Sequence, residues 1–216
     1  MVTMGRDATR HFLGTMARGQ SSVTGAVSAA LCLTARELFC PAPKPHRLML
    51  VGSFDARPLL NLPTDTLGYY ATYPKFLLDL RPETGFWELA RYFHQEHQAY
   101  IDKRAYAGIE PEYYNKMADG FGVIAKLLWA PGLWEMFTAP GRLFLVNLGV
   151  IESGFGSFKL RGVKVLQDIP ALAVYSYVLD GSLHLQTCSQ LPPEAADRFA
   201  GRIEDHLWRV APRVGS

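Results

Sequence analysis

Helix and strand patterns interleave along this chain in an order that excludes a purely parallel sheet. The 216 residues are predicted to form two helices, two strands, two helices, three strands and a final helix, and the last strand can fold into two. Strict alternation of strand and helix, which builds parallel sheets, is absent from that order. The sequence therefore predicts an α/β (α+β) fold in which helices pack on a mixed β-sheet.

The clearest helical pattern covers residues 22–39. Its apolar positions recur at three- and four-residue steps and so share one face: Val23, Val27, Ala30, Leu31, Thr34 and Leu38. Ser21 or Ser22 can cap the first turn, and the prolines at 41, 43 and 45 prevent the helix from continuing. Before it, Asp7 is expected to cap a shorter helix that ends near Gly19 and buries three residues: Phe12, Leu13 and Met16.

The remaining elements follow from two periodicities of apolar residues: three- and four-residue steps for helices and alternation for strands. Helices are predicted over 85–104, 110–126 and 192–210, and strands over 47–57, 67–80, 142–150, 158–166 and 171–188. Pro74 marks a bend inside the second of these strands. Asp180-Gly181 predicts a hairpin turn inside the last one, because glycine readily takes a positive φ.

Charge and cysteine usage exclude several classes of protein. The 22 basic and 20 acidic residues leave a net charge of only +2, whereas nucleic acids and anionic lipids need concentrated positive charge. No stretch reaches the roughly 20 apolar residues of a membrane span. The odd number of cysteines (Cys32, Cys40 and Cys188) argues against a disulfide framework. We therefore expect reduced thiols in a cytoplasmic protein that binds no nucleic acid.

Two segments suggest chemistry without completing a site. His94 and His97 are spaced i, i+3 on a predicted helix, but a third metal ligand and the H-E-x-x-H arrangement are missing, so structural histidines are favoured over a zinc site. The glycines at 149, 154 and 156 precede a strand, whereas a phosphate-binding loop precedes a helix. These glycines are expected to form a tight turn or to let a ligand approach bare backbone. No catalytic set is predicted, and no metal.

Five segments, in order, resemble the chloramphenicol-acetyltransferase-like acyltransferases, a group that includes condensation domains, polyketide-associated acyltransferases and alcohol acetyltransferases. The segments are S-V-T-G-A-V-S-A-A at 22–30, G-S-F-D-A-R at 52–57 with L-G-Y-Y at 67–70, F-W-E-L-A at 86–90, F-L-V-N-L-G-V at 144–150 and D-G-S-L-H-L at 180–185. The resemblance implies acyl transfer from a thioester, carried by coenzyme A or a phosphopantetheine arm, to a hydroxyl or amine acceptor.

The motif that would carry this catalysis is absent from the sequence. In the family, the second histidine of H-H-x-x-x-D, on the N-terminal lobe, acts as general base on the acceptor. None of the six histidines here is adjacent to another. The resemblance thus implies a C-terminal lobe over residues 21–216, preceded by a crossover and N-terminal helix over 1–20. Alone, such a lobe is expected to be inactive and to need the missing N-terminal lobe, or self-association, as its partner.

The resemblance also implies a set of site residues. Substrate contacts are expected from Asn147, Gly149, Ser153, Gly154 and Gly156, with acyl-CoA or acyl-phosphopantetheine as donor substrate and no bound cofactor. For Asn147, a purely structural role in pairing backbone groups stays open. Asp55 and Arg57 are expected to be structural, holding each other or a loop by a charged hydrogen bond: both lie at the end of a predicted strand.

A second interpretation is a non-catalytic binding or interaction module. It would retain the cleft for a hydrophobic ligand or partner and use aromatic residues to bind it: Tyr69, Tyr70, Tyr73, Trp129 and Trp134. In either case an isolated lobe should leave an apolar patch exposed, of roughly several hundred Å², or hide it by self-association.

Overall fold

The computed structural model describes residues 1–40, 45–55, 57, 61–63, 71–102, 142–166 and 172–211. The helix predicted over 110–126 lies outside these ranges. So does the L-G-Y-Y segment at 67–70, and so do the two tryptophans of the aromatic set, Trp129 and Trp134.

The described residues form four helices and nine strands. The helices are α1 (Arg6–Arg18), α2 (Val23–Phe39), α3 (Phe86–Asp102) and α4 (Pro193–Val210). The strands are β1 (Val2–Met4), β2 (His46–Asp55), β3 (Ala71–Thr72), β4 (Lys75–Leu80), β5 (Arg142–Ile151), β6 (Gly154–Phe155), β7 (Phe158–Lys159), β8 (Leu172–Leu179) and β9 (Ser182–Cys188). The helices predicted before Gly19 and over 22–39, 85–104 and 192–210 are confirmed within a few residues.

Seven of these strands form one mixed sheet, as predicted. Its order is β1-β9-β8-β5-β2, with β4 and β3 following one another along the outer side of β2. The central strands β2, β5 and β8 run parallel, and their outer neighbours are antiparallel. The Asp180-Gly181 hairpin is confirmed, with φ values of 50° and 75°. Pro74 separates β3 from β4 and accepts a hydrogen bond from the Gly52 amide (2.9 Å).

Helix α2 is the centre of the core. Every residue from Gly25 to Ala35 is buried, because α2 packs against the sheet and against the other three helices. Ser22 caps it by accepting a hydrogen bond from the Gly25 amide (3.1 Å). The predicted single apolar face is therefore too narrow. The alanines and the glycine at the intervening positions neither add to nor interrupt an apolar face in the sequence. They are buried because neighbouring elements pack on all sides of α2.

The first helix differs from its prediction at two positions. Phe12 and Met16 are buried, but Leu13 is 42% exposed, because α1 is covered on one side only. Gly5, not Asp7, occupies the N-cap. Asp7 lies in the first turn, and its Oδ1 is 3.3 Å from Arg10 Nη1. The short strand β1 was not predicted, since three residues carry no period. It pairs with β9 and precedes α1 in the chain. The predicted domain boundary at residue 20 stays a prediction.

The strand predicted over 158–166 is wrong beyond its first two residues. Residues 160–166, here called the strap, form no strand and are held by side chains of the sheet. The Tyr177 hydroxyl donates to the Val163 carbonyl (2.8 Å), and the Gln186 side chain accepts from the Val165 amide (2.9 Å). The alternating apolar residues that suggested a strand thus belong to a segment whose backbone bonds to side chains instead of to a neighbouring strand.

Among the residues that the structure describes, no helix combines the length and apolarity that crossing a bilayer requires.

The contact between α2 and α3 allows a test of the buried core. A Cβ atom at Gly25 would lie 2.4 Å from the Ala90 carbonyl oxygen, so we expect Gly25→Ala to lower the free energy of unfolding by about 1–3 kcal/mol. At Gly14, on α1, the nearest atom to a Cβ would be the Arg18 guanidinium at 3.5 Å. Gly14→Ala is therefore the matched control, expected to stabilise by about 0.5–1 kcal/mol. Urea denaturation measures both, and equal effects would contradict this packing.

Candidate functional site

The carboxyl ends of the parallel strands β2, β5 and β8 meet at one edge of the sheet, and the first turn of α2 contacts that edge. We call this region the carboxyl edge. Asn147, on β5, donates through Nδ2 to Thr24 Oγ1 in the first turn of α2 (2.8 Å). Its Oδ1 accepts from the Gly149 amide (3.0 Å). Open sheets of this kind bind ligands at the carboxyl ends of their strands, which makes this edge the candidate site.

Gly149 shapes the end of β5. The pairing of β5 with β8 shifts register between Asn147 and Val150, and Gly149 adopts φ 69° inside that irregularity. A Cβ atom there would meet no atom within 4 Å, so the glycine is needed for its backbone conformation rather than for space. On either side of Gly149, Leu148 is 41% and Val150 is 78% exposed beside the edge.

Two buried hydroxyls lie below the carboxyl edge. Ser176 on β8 is opposite Asn147 in the sheet register, and Ser28 follows Thr24 by one turn of α2. Both serines are 0% exposed, and neither hydroxyl has a hydrogen-bond partner within the described ranges. Buried polar groups are normally paired with protein or water. Because both side chains are fully buried, these hydroxyls belong to the interior beneath the edge and do not contact a ligand bound on it.

The β6–β7 hairpin holds the other predicted site residues. Gly154 lies in β6, and Gly156 takes φ 59° in the turn. The Ser153 hydroxyl donates to the Asp180 carboxylate in the β8–β9 turn, and Lys159 Nζ lies 3.3 Å from the same carboxylate. These two contacts lower the pKa of Asp180. The hairpin is thus anchored to the β8–β9 turn, and the substrate contacts predicted for these residues stay predictions.

Asp55 and Arg57 bond each other at the end of β2. Arg57 Nε lies 3.0 and 3.2 Å from the two Asp55 oxygens, and the Arg57 amide donates to Oδ1 (3.0 Å). The pair lies where β2 ends. Its structural role in the lobe stays a prediction.

His97 is buried at the contact between α3 and β2. Its Nδ1 donates to the Phe93 carbonyl (3.1 Å), and its ring packs between Phe54 and Phe76, with centroids 6.2 and 5.1 Å away. Burial lowers the pKa of His97, so the ring is neutral. The described residues hold no cluster of three or more metal-binding side chains, and the zinc alternative built on His94 and His97 therefore has no third ligand there.

The sequence analysis overlooked Thr24, Ser28 and Ser176. Thr24 and Ser28 are polar residues four positions apart in the first half of α2, where the other residues are apolar or glycine, and that spacing was the available signal. Ser176 carried no signal, because only the sheet register places it beside Asn147.

Comparison with known proteins finds similarity in structure. No protein-family model matches the sequence, and no curated protein matches it. Polyketide synthase associated protein 5 from Mycobacterium tuberculosis aligns with a TM-score of 0.62 at 15% identity, over 99% of this chain and 52% of that chain. The epimerization domain from the third module of tyrocidine synthetase B aligns with a TM-score of 0.60 at 14% identity, over 97% of this chain and 46% of that chain. A trichothecene 15-O-acetyltransferase from Fusarium sporotrichioides aligns with a TM-score of 0.67 at 11% identity, over 99% of this chain and 46% of that chain.

This chain spans about half the length of each of these structures while being covered almost completely itself. It has the fold of one lobe of the chloramphenicol-acetyltransferase-like acyltransferases and condensation domains. The predicted fold class and the resemblance in fold are therefore confirmed.

The Asn147–Thr24 hydrogen bond gives a first prediction for the carboxyl edge. We expect Asn147→Ala and Thr24→Val each to lower the free energy of unfolding, and the double variant to lose less than the sum, with a coupling energy of about 1 kcal/mol. Urea denaturation of the four proteins measures the cycle. Additive effects would show that the two side chains do not interact in solution.

Three histidines that are buried or half-buried give a second prediction, on pH. Burial lowers the pKa of His97, His184 and His206 below that of an unfolded histidine, about 6.5. At acidic pH the unfolded chain therefore binds more protons than the folded chain, and stability rises with pH. We expect the free energy of unfolding to be greatest above pH 6.5 and to fall as the pH falls from there through the folded-state pKa values. His97→Gln should reduce that slope, and an unchanged slope would contradict a neutral His97.

Proposed function

We propose that this chain is the C-terminal half of an acyltransferase that moves an acyl group from a coenzyme A or carrier-protein thioester to a hydroxyl or amine acceptor. One observation carries the proposal: nearly the whole chain aligns with about half of proteins named as an acetyltransferase and an acyl transferase. Because this chain matches one lobe of that fold from end to end, the alignment supports the same architecture for the whole protein, with two lobes around one reaction site.

The second part of the proposal is that the general base comes from the other lobe. An alcohol attacks a thioester efficiently only when a base removes its proton in the attack step. The sequence has no H-H-x-x-x-D, and His97 is buried between aromatic side chains of β2 and β4. This chain would therefore contribute the wall of the channel and no catalytic residue.

The carboxyl edge is the part of the lobe that we assign to the substrate. Exposed Leu148 and Val150 would contact an acyl chain, and the Asn147–Thr24 bond would hold the end of β5 in position. The first turn of α2 contacts this edge, and the positive end of the helix dipole there would favour the negative charge that develops on a thioester carbonyl oxygen. No cofactor is needed, because the thioester is the donor substrate.

A non-catalytic binding module is the second candidate. The observation that favours it is a set of strongly exposed apolar side chains on β5, β7 and the strap: Val150, Phe158 and Leu166, at 78–83% exposure. Such residues mark surfaces that a ligand or partner covers. In the acyltransferase proposal the missing lobe, or a second copy, covers them. We propose the cytoplasm as the compartment, in keeping with free thiols at Cys32, Cys40 and Cys188.

Thiol release from acyl-thioesters tests the proposal. The chain alone should release no thiol above background from acyl-CoA substrates offered with an alcohol or amine. Co-expression with a polypeptide that carries H-H-x-x-x-D and is encoded beside it should raise the rate by about 10²–10⁴-fold, the contribution of a positioned base.

The control for this assay replaces the second histidine of the partner's motif by alanine, which should return the rate to background. Turnover by the chain alone would contradict the assignment of the base to another lobe. Tight binding of the acyl-thioester without turnover in either preparation would favour the binding module.

A further inference from the structure

Among the described residues, strand β4 is outermost on one side of the sheet. It pairs with β2 along one edge, from His46↔Leu80 to Val51↔Lys75, and no strand in the described part of the chain pairs with its other edge. The backbone N–H and C=O groups of an open edge form a template for another strand. The feature to explain is therefore what this edge binds.

The two faces of β4 differ in character. Phe76, Leu78 and Leu80 are buried against the helices, while Lys75, Leu77 and Asp79 lie on the opposite face and are exposed. Leu77 is 60% exposed, an apolar side chain between a cation and an anion on the same face. This Lys-Leu-Asp row is symmetrical about Leu77 in position and opposite in charge at its two ends.

That arrangement is complementary to itself. When two copies of β4 run antiparallel with Leu77 opposite the partner's Leu77, Lys75 faces the partner's Asp79 and Asp79 faces the partner's Lys75. Opposite charges across antiparallel strands stabilise the pairing, and like charges destabilise it. On the other face, Phe76 meets the partner's Leu78, which joins the two cores. A shift by two residues in one direction places Lys75 opposite the partner's Arg81, and a shift in the other leaves it opposite the partner's Leu77.

Neighbouring residues fit the same register. On the inner side of β4, Asp79 already bonds to Arg47 of β2, with Nε and Nη2 at 2.9 and 3.1 Å from its oxygens. A partner's Lys75 on the outer side would complete a row of alternating charge across three strands. Pro74 and Pro82 flank β4 and keep the pairing to one short stretch, because proline cannot donate to a ladder.

We propose that the outer edge of β4, the edge away from β2, is a self-association site, at which a second copy of this chain pairs antiparallel about Leu77 to form one sheet across the dimer. The proposal does not depend on acyl transfer. A single pair of short strands buries little surface, and the dimer is accordingly weak and sensitive to salt.

Charge exchange between copies tests the register. In Lys75→Asp, both ionic contacts of the dimer become Asp opposite Asp, and in Asp79→Lys both become Lys opposite Lys. Mixed in equal amounts, the two variants restore Asp opposite Lys at both contacts. Sedimentation at low salt should show dimers of the native chain, a Kd raised by about tenfold or more for each variant alone, and heterodimers in the mixture.

Asp79→Lys also removes the exposed Arg47 contact, which contributes little to stability. Thermal unfolding of both variants checks that they remain folded. A native chain that stays monomeric, variants that dimerise as the native chain does, or a mixture that fails to form heterodimers would each overturn the proposal.

Cross-linking tests the position of the two-fold axis. Residues directly opposite each other on antiparallel strands have Cβ atoms about 4.5–5.5 Å apart, close enough for a disulfide after small shifts. Leu77→Cys should therefore form a covalent dimer at least about tenfold faster than Leu166→Cys, an 83% exposed control on the strap. The native chain, with its three free cysteines, gives the background. Equal rates for the two variants would overturn the assigned axis and point to another occupant of this edge, such as the missing lobe.

Discussion

The burial of α2 is the constraint on which the rest of the lobe depends. A helix of small and apolar residues, buried from Gly25 to Ala35, requires the sheet on one side and helices on the others, so it fixes the layers of the fold. Close approach is possible because Gly25 leaves room for the Ala90 carbonyl. The same packing brings the first turn of α2 to the carboxyl ends of the central strands, and the candidate site exists only because of that meeting.

At this meeting point a hydrogen-bonded contact lies beside two buried hydroxyls. The Asn147 amide bonds to both Thr24 and Gly149, while the hydroxyls of Ser28 and Ser176 are buried without a partner in the described ranges. Exposed Leu148 and Val150 continue the edge outward. The fixed backbone and the apolar rim are the two features on which we base the proposal that this lobe forms a wall of a reaction chamber.

The sequence predicted the elements better than their surroundings. Helices α2 and α4 were found with their ends, because serine caps, prolines and a 3.6-residue period act locally. Leu13 was placed in the core although it is exposed, since the pattern does not tell how many sides of α1 are covered. The strap was taken for a strand, since alternation of apolar residues is the same whether the backbone bonds to a strand or to Tyr177 and Gln186.

By itself, the sequence determined the mixed α/β class, the helix ends, the hairpin at Asp180-Gly181, the near-neutral charge and the absence of H-H-x-x-x-D. Each of these depends on residues close together in the chain, or on composition. Only the tertiary structure decided the strand order, the burial of α2 on all sides, the outer position of β4 among the described strands and the pairing of Asn147 with Thr24, 123 residues away. These depend on which distant segments pack together, and local propensity carries no information about a partner so far along the chain.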